Sequence, residues 1–194
     1  PEYYNDIVEN DPEFSETAHF QKMRWLKDEK DDLYDPDYTD LLRVAFTSAF
    51  KRGKLADLVS LLSGRNFETR SYDDDIARES FGKLEAGVMR FMNENEFKAF
   101  VMIIRSAGFI TSDLLRSQNA INFAYIVYLA LREQGENRSD IEKYVKRWLV
   151  MSLLTGRHSG SFESQFETDI RSIANGKFAD YLASVEEARL SDAF

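Results

Sequence analysis

Apolar residues recur along most of this chain at spacings of three and four, the rhythm of one face of an α-helix. After Thr39 the positions Leu41, Leu42, Ala45, Phe46 and Ala49 follow it, and Gly53 is expected to stop that helix. A short second helix over KLADLVSLL ends at Ser63-Gly64 in this reading. A third begins after Asp73-Asp74-Asp75, carries Ile76, Phe81, Leu84, Val88 and Met92, and runs to about Asn95. The next segment, EFKAFVMIIRSA, is apolar nearly all round, as a buried helix is, and stops at Gly108. LLRSQNAINFAYIVYLALREQG predicts a long helix closed by Gly135. Ser139 and Glu142 have the S-x-x-E spacing of a capping box and are expected to open a sixth helix that ends at Gly156. One or two more helices follow Ser161 and Gly176. No alternating strand pattern runs beyond four residues, and no proline lies after Pro36. The fold class expected is all-α, a multi-helix bundle of roughly seven to eight helices.

Charge changes this picture at one end. Residues 1–40 hold 13 acidic and 4 basic side chains, whereas residues 41–194 hold 21 of each sign. All three prolines (Pro1, Pro12 and Pro36) lie in the acidic stretch. The expected organisation is an acidic N-terminal arm or linker over residues 1–38, partly helical, followed by a helical domain over 39–194. Phe14, Phe20, Met23, Trp25 and Leu26 could form a short amphipathic helix within the arm, and Asp28-Glu29-Lys30-Asp31-Asp32 reads as a solvated linker. The net charge of −9 argues against a general basic coat for nucleic acid. The N-terminal PEYYNDIVENDPEF lacks the basic and apolar regions of a signal peptide, and nothing approaches a membrane span, so a cytoplasmic location and no membrane partner are expected. A first residue of Pro1 rather than Met points to a processed chain or a piece of something longer.

Composition then removes much of the usual chemistry. With no cysteine, disulfides, thiolate nucleophiles and Cys-based metal sites are excluded. His19 and His158 are too far apart in sequence for a local metal pair, and no metal site is expected. Gly53-Lys54, Gly82-Lys83 and Gly176-Lys177 lack the Ser or Thr and the preceding loop of a phosphate-binding motif. The string GRHSG departs from the nucleophile-elbow pattern and follows a helix rather than a strand. The Asp73–Asp75 run suits a helix N-terminus better than a metal. A hydrolase built on Glu163, His158 or Asp169 is the weakest reading, because no nucleophile–base pair is visible and no catalytic residue is assigned.

Two loops hold more information. LLSGRNFETRSYD (61–73) and LLTGRHSGSFESQ (153–165) both leave an apolar helix through a Gly-Arg step. The plain role for each Arg is to cap the carbonyls of the helix it leaves. The functional role is to bind a nucleotide or DNA phosphate with its guanidinium fork. On that second reading Arg65, Arg70, Arg157 and Ser159 are candidate ligands. Lys143, Lys146 and Arg147 share a face of the sixth helix and make a candidate basic patch, the alternative being an ordinary solvated face. His158 sits in a polar loop where it could titrate near neutrality, with no partner evident in sequence. Asn119 and Asn122, in an apolar helix, read as buried amides or as substrate contacts.

The strings LVSLLSGRNFETRSYDDDIARESFGKLEAGV, MIIRSAGFITSDLLRSQNAINFAYIVYLALR and YVKRWLVMSLLTGRHSGSFESQFETDI resemble the S part of GmrSD-type modification-dependent restriction systems. The resemblance covers roughly residues 39–194, and GRHSGSFES after Arg147-Trp148 is its most specific element; the family usually has Tyr where this chain has His158. Members are similar in having an N-terminal ParB/sulfiredoxin-like nucleotide-hydrolysing domain with an Asp-Gly-Gln-Gln-Arg motif ahead of a helical region, and many carry or partner an HNH nuclease. This chain has neither that motif nor the HNH histidines. The resemblance therefore implies the helical region of a GmrSD-like restriction or antiphage-defence protein. It would support a ParB-like nucleotide-hydrolysing domain or partner subunit and contact DNA or nucleotide. No independent catalysis and no cofactor are expected in this chain, with a nucleoside triphosphate belonging to the parent protein. The alternative is a non-enzymatic helical protein-interaction module with an acidic regulatory arm.

Overall fold

The computed structural model describes residues 33–190. The first 32 residues, with the apolar set from Phe14 to Leu26 and the charge run 28–32, lie outside the described residues. The described part is an all-α bundle of eight α-helices with no strand. They are α1 (Tyr38–Phe50), α2 (Ala56–Leu62), α3 (Asp74–Phe91), α4 (Glu94–Ser106), α5 (Gln118–Glu133), α6 (Arg138–Thr155), α7 (Phe162–Asn175) and α8 (Phe178–Leu190), with a 3₁₀ turn at Ser112–Leu114. No helix among the described residues is long and apolar enough to cross a membrane.

Every residue of α5 from Ala120 to Leu131 is buried, so this helix is the axis of the bundle. It packs against α1, α6 and α7, while α3 covers α1 and α2, α4 lies on α6, and α8 closes on α6 and α7. One side of α5 meets an aromatic cluster of Tyr34, Phe91, Phe97, Phe100, Tyr125 and Tyr128. The other side meets Phe123, Trp148, His158 and Phe166. A buried amide in such a helix must find partners. Asn122 finds two: its Nδ2 donates to Asp40 Oδ1 at 2.6 Å, and its Oδ1 accepts from the Tyr34 hydroxyl at 2.9 Å. Asp40 also closes a capping box with Asp37 at the start of α1 and accepts from Gln118. Leu33 and Tyr34, which precede the helical domain drawn from sequence, are buried in the core.

Several local expectations are corrected. Helix α6 opens at Asn137, whose side chain accepts from Asp140 N, not at a Ser139–Glu142 capping box. Glu142 is instead paired with Lys146. Asn137, two residues earlier, wins because its backbone sits in the extended conformation a cap requires (ψ 153°). The long helix predicted from Leu114 begins at Gln118, capped by Ser117, after the 3₁₀ turn has used up the first residues. Helix α3 stops at Phe91, because Asn93 caps α4. Phe81, placed on the apolar face of α3, is 63% exposed, and α4 is amphipathic rather than buried all round, with Met102 at 62%. Asp73 does cap α3, accepting from Asp75 N.

Gly53 has a different use from the one its position suggests. Helix α1 ends earlier, at Lys51 in the left-handed region (φ 55°). Gly53 lies against α7, donating its N–H to Glu167 Oε2 at 2.8 Å. A Cβ there would fall 2.1 Å from the Glu163 carbonyl oxygen and 2.5 Å from Glu167 N. Backbone on both sides leaves little room to yield. Gly82, in contrast, has open space around it in the interior of α3. Thermal unfolding should therefore show Gly53→Ala losing about 3 kcal/mol through overpacking. Gly82→Ala should gain about 0.5–1 kcal/mol by helix propensity.

Candidate functional site

Helices α2 and α6 end in the same way. Gly64 and Gly156 take left-handed conformations (φ 82° and 60°). The following N–H groups of Arg65 and Arg157 reach back to the carbonyls of Ser60 and Ser152, at 3.0 and 3.1 Å. This satisfies carbonyls that a helix end leaves free. In each loop it is the Arg backbone, rather than its side chain, that does so.

Beyond that shared turn the two loops diverge. Arg65 points along its loop towards the Phe67 ring (5.9 Å), beside Arg52 over the same ring at 4.4 Å. Arg70 is exposed with φ 60°, where the turn is fixed by Asn66 Oδ1 accepting from Glu68 N and Thr69 N. Arg157 turns inward. Its Nε and Nη2 donate to the two carboxylate oxygens of Asp169 at 3.0 and 2.6 Å, and its guanidinium lies 5.4 Å from the Trp148 ring.

Asp169 is the centre of a fully occupied network. It lies two turns into α7 and is fully buried. Besides Arg157 it accepts from Gln165 Nε2 at 2.7 Å, from the Tyr181 hydroxyl at 2.7 Å and from His158 Nε2 at 3.0 Å. These donors come from the α6–α7 loop, α7 itself and α8. Phe123 and Phe166 flank the imidazole at 4.8 and 5.1 Å and keep the site dry. With Nε2 donating, neutral His158 carries its proton there and its Nδ1 is left bare. That Nδ1 is buried and has no hydrogen-bond partner among the described residues.

The electrostatics follow from this packing. Burial pushes the Asp169 carboxyl up, but hydrogen bonds from His158 and Arg157 outweigh it and hold the group below its ordinary value. Burial pushes His158 down by more than Asp169 pulls it up. A protonated ring would need a partner for Nδ1, which this pocket does not supply. Burial and the Asp169 charge raise the Tyr181 hydroxyl to about 12. The expectation of a loop histidine titrating near neutrality is thus corrected: His158 is buried and neutral. Chemically this is a clamp, because the acceptor positions of both carboxylate oxygens are in use.

The remaining candidates are scattered. Ser159 caps the end of α6, its hydroxyl donating to Gly156 O at 2.6 Å. Lys143, Lys146 and Arg147 do share the outer side of α6. Lys146 pairs with Glu142 at 2.6 Å, and Arg147 forms a two-pronged pair with Glu186 of α8. Among the described residues Lys143 reaches only the Tyr144 ring, at 5.5 Å. Among the described residues no three His, Asp or Glu side chains are grouped to hold a metal ion. Glu163 accepts from Leu55 N at 3.4 Å and so helps Glu167 hold the Gly53 turn. The first Gly-Arg loop and α7 are thereby joined through residues 51–57, since Arg52 touches Phe67 and pairs with Asp57 at 2.9 Å. Asn122 is a buried structural amide.

No family model, curated protein or solved structure matches this chain.

Removing one partner from a buried ion pair leaves the other uncompensated, at about 3–5 kcal/mol. Asp169→Asn should therefore destabilise by about that much in denaturant unfolding. The pH dependence has a definite sign. Asp169, lowered from 3.8, contributes stability that is present above that value and lost as pH falls below it. His158, lowered from 6.5, binds its proton more readily in the unfolded chain, so stability also declines as pH drops below 6.5. His158→Gln should flatten the upper part of that decline, measured as midpoint against pH between about 7 and 5.

Proposed function

We propose that the chain is the helical region of a GmrSD-like bacterial restriction or antiphage-defence protein, supporting a nucleotide-hydrolysing or DNA-processing domain and having no catalysis of its own. The partner in this reading is a ParB-like domain or subunit, any nucleoside triphosphate is bound by the parent protein, and the setting is the cytoplasm. Contact with DNA or nucleotide falls to the first Gly-Arg loop, through the half-buried Arg65 and the exposed Arg70.

One observation supports the absence of chemistry here. The GRHSG segment, which carries the most specific part of the resemblance, is tied into a buried clamp on Asp169. A general base must reach its substrate's proton and a nucleophile its electrophile. Asp169 can do neither while Arg157, His158, Gln165 and Tyr181 fill its coordination. Residues that look reactive in the sequence are instead engaged in holding α6, α7 and α8 together, as suits a supporting region. The alternative reading, a protein-interaction module, draws on the apolar groove beside α6 described below; residues 1–32 of its acidic arm lie outside the described residues.

Reconstitution tests the proposal. Mixing the full chain with a separately expressed ParB-like domain should produce nucleotide hydrolysis or DNA cleavage that neither component shows alone. Inactivity of the mixture with both parts folded, or cleavage by this chain alone, would contradict it.

A further inference from the structure

The outer face of α6 has a regular composition. Lys143, Arg147, Val150 and Leu154 lie at i, i+4, i+7 and i+11, so they form one stripe along the helix, cationic at its start and aliphatic at its end. All four are exposed, and Leu154 is 74% exposed although the rest of the helix has ample core to enter. The aliphatic half opens into a groove of about 320 Å³ between α6, the end of α4 at Ala107 and the last turns of α8 at Leu190, floored by Met151. At the cationic half, Glu142 and Glu186 neutralise Lys146 and Arg147. No carboxylate among the described residues lies within ion-pair reach of Lys143, so its ammonium is the one cation of the stripe left to pair with a partner's carboxylate.

We infer that this groove is the docking site for an amphipathic helix of a partner protein, with aliphatic anchors on one face and carboxylates beyond them at the end that lies over Lys143. The inference rests on the preceding functional reading only for the existence of a partner domain. Helix-in-groove recognition uses anchors at i, i+3 or i+4 and i+7, the spacing that Val150 and Leu154 can meet. The charge pattern selects the occupant. A nucleic acid backbone would set phosphates against Val150 and Leu154. A second copy paired about a two-fold axis would run its α6 antiparallel and lay aliphatic side chains over Lys143 and Arg147. An acidic amphipathic helix matches both halves together.

The test uses the full chain and a synthetic probe, a helical peptide of about 16 residues with leucines along one face and glutamates at one end. A control peptide carries lysines in place of the glutamates. By fluorescence anisotropy the glutamate peptide should bind and the lysine peptide should bind at least about tenfold more weakly, with the difference shrinking as salt rises. Leu154→Glu should weaken the glutamate peptide by about tenfold or more. Lys143→Glu should weaken the same peptide and improve the lysine peptide. Both side chains are exposed, so thermal melting of the two variants should match the parent chain. The inference is overturned if neither peptide binds, if both bind equally well, or if both variants bind as the parent does. It is also overturned if sedimentation shows self-association that Leu154→Glu abolishes, for the occupant is then a second copy. The two proposals fail separately. Peptide binding without reconstitution removes the restriction-protein reading and leaves the groove, whereas undiminished reconstitution by Leu154→Glu removes the groove as the partner's seat.

Discussion

A carboxylate buried in an apolar core has to be compensated within hydrogen-bond reach, and at Asp169 that requirement organises the end of α6 together with α7 and α8. Two donors from Arg157 and one each from His158, Gln165 and Tyr181 converge on its two oxygens. An isolated charge there would cost several kcal/mol, whereas a fully hydrogen-bonded pair is tolerated. The donors belong to the loop after α6, to α7 and to α8, so satisfying one side chain fixes the relative placement of three elements. Trp148 and Phe123, packed beside the network, exclude the water that would otherwise compete for it. The His158 ring is neutral for the same reason: the dry wall that strengthens its bond to Asp169 penalises a second proton.

A second polar link stands across the bundle axis. Asp40, Asn122 and Tyr34 connect the start of α1 to the second turn of α5 and to the segment before α1. This second network joins residues far apart in sequence, 88 positions for Tyr34 and Asn122, whereas no hydrogen bond to Asp169 spans more than 12. Apolar burial brings the helices together without specifying much about their rotation. Directional bonds of this kind select one arrangement, because a rotated helix would strand an amide or a charge.

Much of the architecture was legible in the sequence, since the three- and four-residue rhythm marks helices independently of their neighbours. Helix ends were less so. Ser139 and Glu142 matched a capping box, yet Asn137 holds the position, and a motif search cannot tell which of two nearby polar residues is extended. Gly53 looked like a stop signal; its requirement for a bare Cα arises from α7, a hundred residues later, and no local rule exposes it. The least legible feature was the destination of Arg157. A Gly-Arg step in a polar loop fits an anion site as well as a cap, and Arg65 and Arg157 are nearly identical in their local setting. Only Arg157 meets a carboxylate, because α7 presents Asp169 to it once folded. A signal was available: Asp169 is a charged residue within an apolar stripe with Phe166, Ile170 and Ile173, which demands a buried counter-charge.

The central claim is that Asp169 makes the end of α6, α7 and α8 one cooperative unit. Native-state hydrogen exchange on the full chain tests it directly, with the buried amides of Met151, Ile170, Ile173, Leu182 and Val185 as reporters. The account predicts that these amides share one opening free energy, and that Asp169→Asn lowers it by the same amount in all three helices. Exchange of the α8 amides through an independent, lower-energy opening that Asp169→Asn leaves unchanged would contradict it.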